Sequence, residues 1–373
     1  MRGRGQPDCD GALDWPIVAS EVQEVFVDLG GQDDNLGDSA LRAAYLEAAR
    51  SDECRFHVFL GQPTADYVSG LPLLATDQVY FDRSAWAAAS SAAHRPVHLF
   101  NAGEINPLRG VFPYPDRAAE LLRVIDAGGA LIVAGIGLRN PRATSSIDFH
   151  PVFRGAAVVS WRDQPSRDAV GFGEVAPDWA FSLGSDTSDW AGKEARPFLA
   201  VTLRFDRRWP ESSWMEAVQR FAADTSTRIV TVAQVARDAP RAVRLAEALG
   251  GEYLVAPSTA HADLDSHVRS VYGQSLAVVS DRAHGLVMGA TEGAYPVGSS
   301  ADPEKISRML RVVGLDELTG HYDQLSELTP LLESRLPGLA PAIDAARATT
   351  SQLGQRIRAV LRPAAGSSSR AQR

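Results

Sequence analysis

The stretch "SLAVVSDRAHGLVMGA", Ser275 to Ala290, begins as an apolar run of strand length and becomes a helical pattern at a short polar hinge carrying Arg282 and His284. A buried strand that feeds directly into a helix is half of a βαβ unit. The same beginning recurs along the chain. "EVFVDLG" (Glu24 to Gly30), "VHLFNAG" (Val97 to Gly103), "GALIVAGIG" (Gly129 to Gly137) and "AAVVSWRD" (Ala156 to Asp163) read as buried strands, and so do "FLAVTLRF" (Phe198 to Phe205), "RIVTVAQ" (Arg228 to Gln234) and "EYLVAP" (Glu252 to Pro257). Between them, "SALRAAYLEAAR", "DRAAELLRVIDAGG" and "APRAVRLAEALGG" repeat Leu and Ala at helical spacing, the last two closing on glycine stop signals. Such alternation predicts parallel sheets flanked by helices.

The pattern pauses over "SLGSDTSDWAGKEARP", Ser182 to Pro197, which is rich in Gly, Ser and Asp and lacks periodicity. It reads as a linker. The expected organisation is an N-terminal arm (1–20), a first Rossmann-like domain (21–185), a second (198–339), a long amphipathic helix (340–361) and a small, polar tail (362–373). The apolar positions of that helix, Ile343, Ala346, Leu353, Ile357 and Leu361, require a surface to cover them, and the helix is expected to cross back onto the first domain.

Composition narrows the function. With 373 residues, 45% hydrophobic and 22% charged, the chain can bury two cores. A net charge of -9 repels a phosphate backbone, so nonspecific nucleic-acid binding is not expected. The two cysteines, Cys9 and Cys54, offer no disulfide framework and no CxxC metal site, which suits the cytoplasm. No apolar run approaches the ~18 residues of a membrane span. "GIGLRN" (Gly135 to Asn140) lacks the third glycine and the later acidic residue of a dinucleotide fingerprint. "HADLDSH" carries His261 and His267 without zinc spacing, Asp33 and Asp34 have no partner ligands, and no G-x-S-x-G elbow occurs. No metal and no bound cofactor is expected.

Besides the Arg282 and His284 hinge, one other strand-to-helix junction is rich in chemistry. "GGQDDNLGDSALRAA" (Gly30 to Ala44) combines three glycines with Asp38 or Ser39 as a helix cap. In open parallel sheets ligands bind beyond the carboxyl ends of the strands, and helix N-termini favour anions. A cleft between two such domains faces both junctions.

Asn35-Leu36-Gly37-Asp38 near the start and Ser280-Asp281-Arg282-Ala283-His284-Gly285 near the end look like the paired signatures of the polysaccharide pyruvyl transferases. "VVSWRDQPS" (Val158 to Ser166), "APDWAF" (Ala176 to Phe181), "YPVG" and "EKISRML" (within Tyr295 to Leu310) resemble further segments of that family in order and spacing, so the resemblance covers roughly Val25 to Leu318. The family's glycine triplet after the third strand is here Asn101-Ala102-Gly103-Glu104. The resemblance implies a GT-B-like pair of domains, phosphoenolpyruvate as co-substrate, and a sugar or lipid-linked oligosaccharide acceptor in cell-surface polysaccharide synthesis, with peripheral membrane association compatible with such an acceptor.

That chemistry must protonate the methylene carbon of phosphoenolpyruvate, and a histidine is suited to the task near neutral pH. His284 is the expected acid. Arginine forks suit the donor's carboxylate and phosphate, which assigns Arg162 to the first and Arg282 to the second, with the swap left open. Asp38 is expected either to orient the acceptor hydroxyl or to cap its helix, and Asn35, Gly37, Asn101 and Glu104 to line the substrate site. A nucleotide-sugar glycosyltransferase and a noncatalytic sugar or anion binder are the alternatives on the same architecture.

Overall fold

The computed structural model describes residues 22–108, 110–320 and 328–362. The arm expected at 1–20, with Cys9, and the tail beyond 362 lie outside them. In the first domain the strands are β1 (Gln23–Asp28), β2 (Cys54–Phe59), β3 (Gln78–Tyr80), β4 (Val97–Leu99), β5 (Gly103–Ile105), β6 (Gly110–Phe112), β7 (Ala130–Leu138), β8 (Ile147–Phe149), β9 (Val158–Trp161) and β10 (Glu174–Val175). Its helices are α1 (Leu36–Ala49), α2 (Ala65–Ser69), α3 (Arg83–Ala92), α4 (Pro115–Asp126), α5 (Pro151–Arg154) and α6 (Gln164–Val170). The main sheet runs β10-β9-β7-β4-β1-β2-β3, every pairing parallel, with β5 added beside β7 and a separate β6-β8 pair.

The second domain holds β11 (Phe198–Thr202), β12 (Arg228–Thr231), β13 (Glu252–Tyr253), β14 (Ser275–Ser280), β15 (Tyr295–Ser299) and β16 (Thr319–Gly320). Around them lie α7 (Ser212–Asp224), α8 (Ala239–Leu249), α9 (His261–Gly273), α10 (Ala283–Thr291) and α11 (Glu304–Arg311). Two helices follow, α12 (Leu328–Arg335) and α13 (Leu339–Leu361). The sheet order β13-β12-β11-β14-β15-β16, again all parallel, is doubly wound. Its strand order reverses between β11 and β14, as the first sheet's does between β1 and β4. In doubly wound sheets a crevice forms at such a reversal, because the loops beyond the two strands leave in opposite directions.

All six residues of β14 are buried, which is why that strand reads as a continuous apolar run instead of an alternating one. The Ser182 to Pro197 segment is not featureless: short 3-10 turns occupy Thr187–Asp189 and Lys193–Ala195. The sequence had not marked β3, α2 or α3, whose three, five and ten residues are too short or too Ala-rich to show a period.

The last helix joins the domains. Ile343, Ala346, Leu353, Ile357 and Leu361 of α13 are all buried, and Gly354 lets the helix approach α1 so closely that an added β-carbon would lie 3.2 Å from the Ala48 carbonyl. Arg358 donates to that same carbonyl, Arg356 pairs with Glu174, and Arg347 donates to the carbonyls of Leu183 and Ser185 at 2.8 Å. The apolar stripe is thus covered partly by the first domain.

Candidate functional site

The hinge after β14 is tied before it turns. Ser280 Oγ donates to the Thr202 carbonyl at 2.8 Å and accepts from Arg282 N at 2.9 Å, while Asp281 accepts from Arg204 N at 2.8 Å. These bonds lock the ends of β11 and β14 together at the reversal point. Arg282 then occupies the N-cap position of α10 in extended backbone, and no side chain caps the helix. A helix start without a cap leaves backbone N–H groups for another acceptor.

Arg282 grips Asp238, a buried residue after β12, with Nη2 2.8 Å from Oδ1 and Nε on Oδ2. Asp238 also accepts from Phe205 N at 2.9 Å, so both loops beside the hinge are fixed through this one carboxylate.

Across the crevice, the first domain supplies the loop before α1. The cap of α1 is Asn35, whose side chain accepts from Gly37 N at 3.2 Å. This corrects the assignment of the cap to Asp38 or Ser39: the helix starts at Leu36, because that apolar side chain is buried in the core, and places Asp38 in the first turn. Asp38 folds back to accept from Gln32 N at 2.9 Å and closes the loop. Ser39 instead donates to the Leu36 carbonyl and meets His261 Nδ1 at 2.7 Å, a contact between α1 and α9. Asn101 accepts from Arg42 Nε at 2.9 Å and donates to the Gly30 carbonyl at 2.6 Å. Its amide therefore splints the loops after β1 and β4.

The two junctions touch. A β-carbon at Gly37 would fall 2.4 to 2.6 Å from three atoms of His284, so only glycine permits this approach. On its other side, His284 Nε2 stands 3.5 Å from Asp178 Oδ1, and that nitrogen is buried without a hydrogen-bond partner. Asp178 is 1% exposed and takes Arg162 Nη1 at 3.0 Å and Ala180 N at 3.1 Å. Burial alone would raise its carboxyl, but His284 and then Arg162 hold it well below the usual carboxylate range.

Arg162 is itself buried, with Nη2 3.8 Å from Glu104 Oε2 and Nε unpartnered. Its partner is Asp178 and not the adjacent Asp163, which instead caps α6 at Ser166 N and receives Arg308 from α11 at 3.1 Å. Glu104 gathers Arg139 Nε at 2.7 Å and Lys305 Nζ at 2.6 Å. Burial pushes the Glu104 carboxyl up, and the three cations, Lys305 foremost, bring it down to about 2. Lys305, Glu104, Arg162, Asp178 and His284 therefore form one ion chain spanning both domains.

Of the residues expected at the site, His284, Arg162 and Glu104 lie in this chain and Gly37 packs on it. Asn35, Asp38 and Asn101 build the facing loop, and Arg282 sets the start of α10. Nothing in the local sequence marks Asp178, Lys305, Arg139 or Asp238 for a role, although Asp178 and Lys305 lie in segments that resemble the pyruvyl transferases. Trp161 is fully buried and donates to the Phe172 carbonyl, which makes it core. Asp34 pairs with Arg237 across the domains. His267 meets the Leu254 carbonyl at 3.1 Å. Among the described residues no group of His, Cys, Asp or Glu is placed to hold a metal, and no helix is long and apolar enough to cross a membrane. A groove of about 610 Å³ between α6, α11 and α13 includes Arg308 and Arg311 in its lining but none of His284, Glu104 or Asp178.

No protein-family model and no curated protein matches the chain. Solved structures do. A Listeria monocytogenes protein described as a candidate UDP-N-acetylglucosamine 2-epimerase superposes with a TM-score of 0.52 at 12% identity, over 91% of this chain and 94% of its own. HepE of Anabaena, solved in complex with UDP, gives 0.50 at 13% identity over 90% and 97%, and its UDP-glucose complex gives 0.50 at 12% over 91% and 98%. At such identities the likeness is one of fold. The chain has the GT-B-like architecture of two facing Rossmann-like domains.

Proposed function

We propose that this chain is a transferase that modifies a sugar with a group drawn from a phosphate-bearing donor, the donor phosphate lying at the start of α10. The observation that carries the reading is an uncapped helix start at the reversal point of a doubly wound sheet, with His284 in its first turn facing the first turn of α1 in the other domain. Backbone N–H groups there suit a phosphate, and the reversal point is where ligands of such sheets sit. The acceptor enters from the Asn35 to Asp38 side.

For the donor, a nucleotide-sugar has the better support, since the fold is shared with a protein crystallised with UDP and with UDP-glucose. The leaving diphosphate would take up the α10 N–H groups while the acceptor oxygen bonds to the sugar carbon. A second reading, pyruvyl transfer, draws support from one specific feature: a histidine, His284, lies at the α10 start with Nε2 3.5 Å from the Asp178 carboxylate, a residue type suited to proton donation. In that reaction the methylene of phosphoenolpyruvate gains a proton and its central carbon bonds to two sugar oxygens. The carbon–oxygen bond to phosphate breaks, and the second hydroxyl proton leaves with the phosphate.

Incubating the protein with UDP-sugars or phosphoenolpyruvate and a panel of nitrophenyl and lipid-linked sugars separates the two. Release of UDP identifies glycosyl transfer, and release of phosphate from phosphoenolpyruvate identifies pyruvyl transfer. Release of neither with any acceptor contradicts both.

A further inference from the structure

Three cations from two domains converge on a single carboxylate of the chain itself. Arg139 and Arg162 reach Glu104 from the ends of β7 and β9, and Lys305 reaches it from the first turn of α11 in the other domain. The Glu104 side chain is 16% exposed, whereas Arg139 and Lys305 remain 64% and 43% exposed, so the cluster is open to solvent on the cation side. Arg162 Nε, on the same guanidinium, is buried without a hydrogen-bond partner. A cluster of two guanidinium groups and an ammonium around one point is the recognition geometry of a ligand oxyanion, which forked and charge-assisted donors hold more strongly than neutral ones do.

We propose that this point is an oxyanion subsite, for a carboxylate or a phosphate, and that Glu104 is its internal occupant. Glu104 holds the cations in place and bridges the domains through Lys305 while no ligand is bound. A ligand anion must displace it, so small free anions are excluded and only a molecule with further contacts in the cleft gains entry. This deepens the transfer reading, in which Arg162 already meets a donor anion, and its test on inorganic phosphate can fail while that reading survives.

The test uses inorganic phosphate on the full chain. Glu104→Gln removes the occupant's charge and leaves Arg139 and Lys305 without their carboxylate beside Arg162, which keeps Asp178, an arrangement that an external anion relieves. At equal ionic strength, exchanging chloride for phosphate should raise the unfolding midpoint of Glu104→Gln by roughly 2–4 °C and leave the wild type unmoved. Adding Lys305→Met to Glu104→Gln should abolish the response. If Glu104→Gln folds only in phosphate, that is the same result in stronger form. An equal shift in the wild type and Glu104→Gln, no shift in Glu104→Gln, or a variant unfolded in both buffers overturns the proposal.

Discussion

Gly37 and His284 are in direct contact across the two domains: a β-carbon on the glycine would meet the imidazole Nδ1 at 2.4 Å. The first turn of α1 therefore defines one wall of the space in which His284 acts. Gly37→Ala must push the ring or the domain aside. The expected loss is about 1–3 kcal/mol of stability, as for an overpacked core, and a chemical denaturation midpoint checks it. No loss of stability would mean that the domains stand further apart than described.

Arg162 neutralises Asp178, which has almost no access to water. Arg162→Met leaves that carboxylate buried without its arginine, and the cost should be about 3–5 kcal/mol, the scale for breaking a buried pair. Arg162→Met/Asp178→Asn should recover much of it. A double variant no more stable than the single would show that the pair is not the source of the loss.

Folding lowers the Glu104 carboxyl to about 2, below the value near 4.3 expected in an unfolded chain. A depressed pKa gives stability that is present above the unfolded value and is lost as pH falls through the folded one. The stability gap between wild type and Glu104→Gln should thus be constant above about pH 5 and close between about pH 4.5 and 2. Urea titrations across that window measure it, and a gap that widens on acidification would contradict the assignment.

Ile357 of α13 is fully buried, and α13 packs against the first domain's α1 and the turn at Trp179–Ser182. Ile357→Ala should cost about 2–5 kcal/mol through the cavity left behind. Because α13 ties the domains, proteolysis of the linker at 183–197 should quicken in the variant. Unchanged cleavage there would mean that the helix does not restrain the linker.

What could be read from the sequence follows from where each signal lies. Strands such as β14 are apolar over their whole length because both faces are covered, so "SLAVVS" announces itself, and the glycines and polar hinge beside it mark the junction. His284 stands out at the hinge after β14, whereas Arg162 and Glu104 are named only through the family resemblance. Their partners could not be named, because Asp178, Lys305 and Asp238 meet them only after the domains pack, and a pairing between distant segments leaves no local pattern. The cap of α1 shows the same limit at short range. Asn35, Asp38 and Ser39 are all capping types, and the burial of Leu36 decided among them.

Calorimetric titration of the wild type and His284→Gln with UDP and with phosphoenolpyruvate tests the central claim, that a phosphate-bearing donor sits at the start of α10 against His284. The account predicts saturable binding of one of the two ligands by the wild type, UDP being the better supported, and at least roughly tenfold weaker binding by His284→Gln, consistent with loss of one charge-assisted contact worth about 1.5–3 kcal/mol. Binding of neither ligand, or equal affinity in both proteins, would contradict it.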